Sequence, residues 1–224
     1  YFLTYKSVCR KAYRNNLNFR RRPSSLEETS LTGFDELGTI FVHIPKTAGI
    51  SLNQALFKNM GGSHRSIKNY MRYFSNTEFR KYYKFCFVRN PWDRLASSYF
   101  FLKKGGMNKG DYEWAKKQLS SCESFEDFVL NYLQNESVLS YVHFIPQYKF
   151  ISYFDRISVD KVYKFEDMQT AIEDVQDKLS ISLVLEHRNK SDKGQGYREY
   201  YSELTRDVVA EIYKQDIALF NYKF

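Results

Sequence analysis

Residues 81–88 read KYYKFCFV, and the chain leaves them through Arg89, Asn90 and Pro91 into WDRLASSYFFL. A run that is apolar or aromatic at nearly every position does not alternate, so both of its faces need cover. A parallel sheet with helices on either side supplies it. Asn90–Pro91 makes the turn that starts the next helix. An earlier stretch repeats the arrangement: TIFVH at 39–43 is strand-like, PKTAG follows, and Leu52, Ala55 and Leu56 fall at helical spacing before Gly61–Gly62. A third strand, DKVYKF at 160–165, leads through Glu166–Asp167 into a helix over 168–179. Strands alternating with helices predict an α/β fold with a central, mostly parallel sheet flanked by helices, whose ligand sites lie beyond the carboxyl ends of the strands.

Other segments add helices. SFEDFVLNYLQN at 124–135 opens on a Ser-x-x-Asp cap and sets Phe125, Phe128, Val129, Tyr132 and Leu133 on one face. One helix is expected from Ser202 to Phe220, with Leu204, Val208, Val209, Ile212, Tyr213, Ile217 and Phe220 as its apolar stripe. Residues 1–37 form a basic, then polar, extension. RRRPSSLEETSLTG reads there as loop, after a short helix near Tyr5–Phe19.

With 43% hydrophobic and 18% aromatic residues the chain is packed rather than disordered. A formal net charge of +8 favours anionic partners, whether nucleotide, nucleic acid, glycan or headgroup, without choosing among them. Cys9, Cys86 and Cys122 have no CxxC spacing, so neither a zinc site nor a disulfide framework is indicated. No apolar run approaches the ~20 residues that span a bilayer.

Both unusual turns sit at strand ends, where a helix N-terminus presents backbone N–H groups and the positive end of its dipole to an anion. In HIPKTAGISL (43–52), Lys46 adds a full charge, Gly49 permits close approach, and Thr47 and Ser51 offer hydroxyls. The stretch lacks the GxxxxGK[ST] pattern of nucleotide triphosphatases. In FVRNPWDRLASSYFF (87–101), Arg89 ends the strand and Ser97 lies inside the following helix, a pair able to grip a second phosphate. The competing reading of Arg89 is a structural salt bridge with Asp93 or another acid.

Two anion sites at neighbouring strand ends match a nucleotide phosphorylated at two positions. HIPKTAGISL resembles the 5′-phosphosulfate loop, and FVRNPWDRLASSYFF the 3′-phosphate segment, of sulfotransferases that use 3′-phosphoadenosine 5′-phosphosulfate (PAPS). The likeness is to the carbohydrate group that includes heparan sulfate 2-O- and chondroitin sulfotransferases and bacterial members. It continues through HFIPQ (143–147), YKFEDM (163–168), HRNKS (187–191) and the C-terminal helix, covering roughly 39–224. The loop usually carries Thr or Ser where this chain has Ile50, so Ser51 must supply that contact or it is missing.

The resemblance implies a P-loop-like sulfotransferase domain over 38–224. It implies PAPS as donor, PAP as product, no metal, and an acceptor hydroxyl expected on a carbohydrate rather than on nucleic acid. By the same resemblance Lys46, Thr47, Ala48, Gly49 and Ser51 hold the 5′-phosphosulfate, and Arg89 and Ser97 the 3′-phosphate. Lys46 also stabilises the leaving oxygen during in-line displacement.

A general base is needed. His64, in GGSHRSIKNY, stands where 2-O-sulfotransferase-like members carry theirs, and His143, Glu166 and Asp167 are alternatives. His43 reads as packed or hydrogen-bonded. His187 and the basic stretch Lys190, Ser191 and Lys193 are candidates for closing over the cofactor. Other readings of the whole chain are a divergent P-loop-like kinase and a non-catalytic polyanion binder. The expected compartment is the cytoplasm, or the Golgi lumen if an anchor precedes Tyr1.

Overall fold

The computed structural model describes residues 16–22, 25–184 and 196–224. The chain divides into two compact units. The described residues of one fall within Tyr1–Ile44, Ala48–Phe87 and Lys149–Arg188; those of the other fall within Pro45–Thr47, Val88–Tyr148 and Asn189–Phe224.

The first unit holds the strands β1 (Thr39–Val42), β2 (Tyr83–Val88, its last residue passing to the second unit), β3 (Ser152–Tyr153), β4 (Arg156–Ile157) and β5 (Lys161–Lys164). The main sheet has the order β1-β2-β5, while β3 and β4 form a small antiparallel hairpin. β1 runs parallel to β2, with Thr39 opposite Tyr83 and Val42 opposite Cys86. The central strand is the continuous apolar run, because only a middle strand covered on both faces can hide Phe85, Cys86, Phe87 and Val88 completely. Phe41 stacks on Phe85 with centroids 5.0 Å apart, and Tyr163 of β5 on Phe87 at 5.2 Å. Lys84, within this buried strand, turns its ammonium to the carbonyls of Phe79 and Tyr82 and to Asp160.

The helix Met168–Leu179 forms as its spacing predicts, burying Ala171, Ile172 and Val175. The helix signalled by Leu52, Ala55 and Leu56 begins at Gly49 and ends at Phe57. Three features depart from the expectation. The extension over 1–37 contains the helix Thr32–Leu37, which opens at the end of the stretch read as loop and has Leu31 and Phe34 fully buried beside and within it. Phe34 meets Phe57, Tyr70 and Phe74, and Gly33 lies so near Phe57 that a Cβ there would be 2.7 Å from its Cβ. Arg20 joins this region to the helix Asn76–Lys81 by pairing with both Asp35 and Glu78. Ile67–Tyr70 and Asn76–Lys81 are further short helices without an apolar stripe long enough to announce them.

The second unit is helical, with a core of Trp92, Leu95, Tyr99, Leu102, Phe125, Phe128, Phe144, Val209 and Tyr213. Pro91–Lys103 is its central helix, started by Asn90, whose side chain accepts from the Trp92 N–H. The segment 124–135 is helical but passes into a π turn over Phe128–Tyr132, with the Leu133 N–H donating to the Phe128 carbonyl at 2.8 Å. The single C-terminal helix expected over 202–220 is two, Glu203–Ile212 and Lys214–Phe220. The buried face of the second includes Asp216, which accepts the N–H groups of Gln147 (2.7 Å) and Tyr148 (2.8 Å). Leu204, placed on the stripe, is 60% exposed.

Phe34→Ala tests whether the segment before β1 belongs to the folded body. Loss of this fully buried ring is expected to lower stability by about 3–5 kcal/mol, read as a fall in the urea midpoint with little change in slope.

Candidate active site

β1 delivers the chain to Pro45, Lys46 and Thr47. Lys46 (φ 69°) and Ala48 (φ 61°) both adopt the left-handed backbone, which side-chain-bearing residues avoid. In the second unit the Lys46 ammonium lies 3.9 Å from the centroid of Phe101, on the face of the ring. Burial, with the Arg89 charge adding to it and Asp111 opposing, lowers its pKa to about 8. Thr47 is fully buried.

Arg89 follows β2. Its backbone is fixed by Gln147, whose side-chain carbonyl accepts the Arg89 N–H (2.9 Å) while its amide donates to the Arg89 carbonyl (2.8 Å). The guanidinium forms a two-point pair with Asp93 through Nε (2.9 Å) and Nη2 (2.7 Å), so the salt bridge is present. Nη1 donates to the Lys46 carbonyl at 3.2 Å. The two motifs therefore meet at the backbone of Lys46. Ser97 is half-buried on the Pro91–Lys103 helix, and its neighbour Ser98 is fully buried, donating to the His143 carbonyl at 3.1 Å.

His143 is buried, with Nε2 3.5 Å from Asp111 Oδ1; Tyr141 donates to the same oxygen at 2.6 Å. Burial lowers the His143 pKa against the opposing pull of Asp111. Burial alone would raise that of Asp111, but hydrogen bonds from His143, Tyr141 and the Met107 N–H outweigh it and hold the carboxyl below the usual range. The Phe101 ring connects this cluster to Lys46, its centroid lying 5.2 Å from the His143 ring. Neither Asp111 nor Phe101 stood out in the sequence: Asp111 sits in Lys109–Gln118, a helix too polar to show a stripe, and Phe101 is one aromatic among many.

In the first unit Ala48 caps the helix Gly49–Phe57, and Leu52 is the first residue whose N–H returns to the turn, to Ala48 O at 3.2 Å. Helix geometry gives the amides of residues 48–51 no acceptor within the helix. Gly49 is read in the sequence as room for a ligand, yet a Cβ there would stand 1.8 Å from Cδ2 of His43. His43, buried, takes a hydrogen bond at Nδ1 from Asn53 (3.3 Å). His64 is half-buried, its ring 4.3 Å from that of His43 and its Nδ1 3.2 Å from the His43 carbonyl. Glu166 and Asp167 are exposed in a short turn after β5.

A family model described as the sulfotransferase family matches residues 29–223. The chain belongs to the sulfotransferase family. No curated protein and no solved structure gave a match. Sulfuryl transfer is thus the activity of this chain in general terms, and the α/β fold with its parallel sheet agrees with membership. The family match includes the helix Thr32–Leu37. Among the described residues of this sulfotransferase no helix is long and apolar enough to cross a membrane. His187, Lys190, Ser191 and Lys193, expected to close over the cofactor, lie outside the described residues.

The contact between Gly49 and His43 is testable in this sulfotransferase. Gly49→Ala is expected to destabilise it by roughly 1–3 kcal/mol through overpacking. Adding His43→Ala should restore much of the loss, as thermal melts of the two variants will show.

Proposed function

We propose that this sulfotransferase moves the sulfuryl group of PAPS to an acceptor hydroxyl, on a carbohydrate, by in-line displacement. The observation that carries the reading is the hydrogen bond from Arg89 Nη1 to the Lys46 carbonyl, which joins the residues given to the two phosphate positions. In this reading Lys46 and the amides of Ala48, Gly49 and Ser51, with the hydroxyls of Thr47 and Ser51, bind the 5′-phosphosulfate. Lys46 stabilises the charge that grows on the bridging oxygen as the S–O bond to PAP breaks. Arg89, oriented by Asp93, and Ser97 bind the 3′-phosphate.

The base is proposed to be His64. Donation of its Nδ1–H to the His43 carbonyl selects the tautomer whose Nε2 carries the lone pair, and that nitrogen takes the proton of the attacking hydroxyl. His143 is proposed as structural, since its bond to Asp111 and its burial suit it to support the Phe101 side of Lys46. Cys86 and Cys122 are buried free thiols, which favours the cytoplasm over the Golgi lumen as the working compartment.

Calorimetry with PAP and with Mg–ATP, together with transfer of labelled sulfuryl to a panel of hydroxylated glycans, tests the proposal. Binding of PAP and label transfer are expected. Binding of ATP with no response to PAP would instead favour a kinase. Lys46→Met should lower kcat by about 10²–10³-fold. A polyanion binder would lose only one charge among many. His64→Ala should abolish most turnover while PAP still binds; near wild-type rates would move the base elsewhere.

The pH profile adds a separate check. Because burial brings Lys46 to about 8, its cation is lost as pH rises through that value, and kcat/KM for PAPS should fall above about pH 8. The bound anion favours the charged lysine, so the corresponding limb of kcat should lie higher.

A further inference from the structure

Arg94 lies on the Pro91–Lys103 helix between Arg89 and Ser97, and neither motif gives it a task. It is 2% exposed and forms no ion pair among the described residues. Nε donates to the Pro45 carbonyl (3.1 Å) and Nη1 to the Ile145 carbonyl (3.0 Å), while Nη2 is buried without a hydrogen-bond partner among the described residues. Burial lowers its pKa and Arg89 adds repulsion, with Tyr213 and Asp216 opposing. An apolar side chain of similar volume would fill such a place at less cost, so stability alone does not account for a cation here.

The carbonyls that these guanidinium groups select are informative. Pro45 O and Lys46 O flank the Cα of Lys46. The first is held by Arg94 and the second by Arg89, and the residue between them has φ 69°. Phe101, under the Lys46 ammonium, stands on the same helix as Arg94. Backbone and side chain of Lys46 are thus both referred to one rigid element. We infer that Arg94 is a positioning residue for sulfuryl transfer, holding the Pro45–Lys46 peptide so that the Lys46 ammonium stays where the leaving oxygen develops charge. The inference rests on the role proposed above for Lys46.

A double-mutant cycle tests it, with PAP binding measured by calorimetry on wild type, Lys46→Met, Arg94→Met and the double variant, each checked for folding by circular dichroism. Arg94→Met is expected to weaken PAP on the order of tenfold in wild type but less than about twofold beside Lys46→Met, because the group it positions is gone. In Arg94→Met the alkaline limb of kcat/KM should also move up from about pH 8, as a loosened Lys46 regains solvent. If Arg94→Met fails to fold, Arg94→Lys takes its place in the cycle. Equal losses in both backgrounds, or an unmoved limb, overturn the positioning role while leaving that of Lys46 intact. If wild type ignores PAP, or Lys46→Met binds it as well as wild type, the proposed function itself fails and this inference with it.

Discussion

The constraint on which the second unit depends is that Lys46 keeps a charge in partly dry surroundings with no carboxylate in ion-pair contact among the described residues. A lysine beside an aspartate would be stable and useless for a second anion, since the pair would already be satisfied. Three carboxylates of this unit are engaged otherwise. Asp93 takes the Arg89 guanidinium, Asp111 takes Tyr141 and His143, and Asp216 takes two backbone amides. Among the described residues Lys46 makes no ion pair and rests instead on the face of Phe101, which attracts a cation but does not remove its charge. The depressed pKa is the physical cost of that arrangement, and an anion bound beside the ammonium, as proposed, would oppose it.

The supporting shell follows from the same requirement. Gln147 replaces a strand neighbour for Arg89 by matching both backbone groups of that residue, which fixes the residue as it leaves β2. Gln147 is in turn held by Asp216 from the C-terminal helix, so the end of β2 is fixed by a residue distant in sequence. Fixed backbone at Arg89 then fixes the donor that reaches Lys46 O. Under the proposed role of Lys46 such preorganisation would matter, because a displacement of about 1 Å in a group that meets developing charge can cost 10²-fold in rate.

How much of this was legible depended on whether a residue acts through its neighbours in sequence or through partners far away. KYYKFCFV announced a central strand because an unbroken apolar run of strand length needs cover on both faces, and Met168–Leu179 announced itself by its stripe. The positions of Lys46 and Arg89 after strands were legible, since a residue following an apolar run of strand length falls in a βα turn. The helix Lys109–Gln118 was not, because it buries little besides Asp111 and Ala115. The parts played by Asp111, Phe101 and Gln147 depend on tertiary pairing, which no local pattern carries. Gly49 shows the opposite hazard: a glycine in a phosphate-type loop suggests room for a ligand, while its immediate neighbour is the His43 ring.

The same geometry places the conformational costs together. Left-handed backbone at Lys46, typically about 1–2 kcal/mol for such a residue, and a buried guanidinium at Arg94 are both unfavourable taken singly. They persist because the Pro91–Lys103 helix that anchors the guanidinium groups is itself seated in an aromatic core, with Tyr99 on Phe128 at 5.0 Å and Trp92 donating to the Arg206 carbonyl at 3.0 Å. Aromatic burial is therefore more than a generic source of stability in this chain: it makes stiff the element against which a strained, charged loop is held. A softer core of the same hydrophobicity would let Lys46 relax toward ordinary backbone angles, and the loop would keep its sequence while losing the position of its charge.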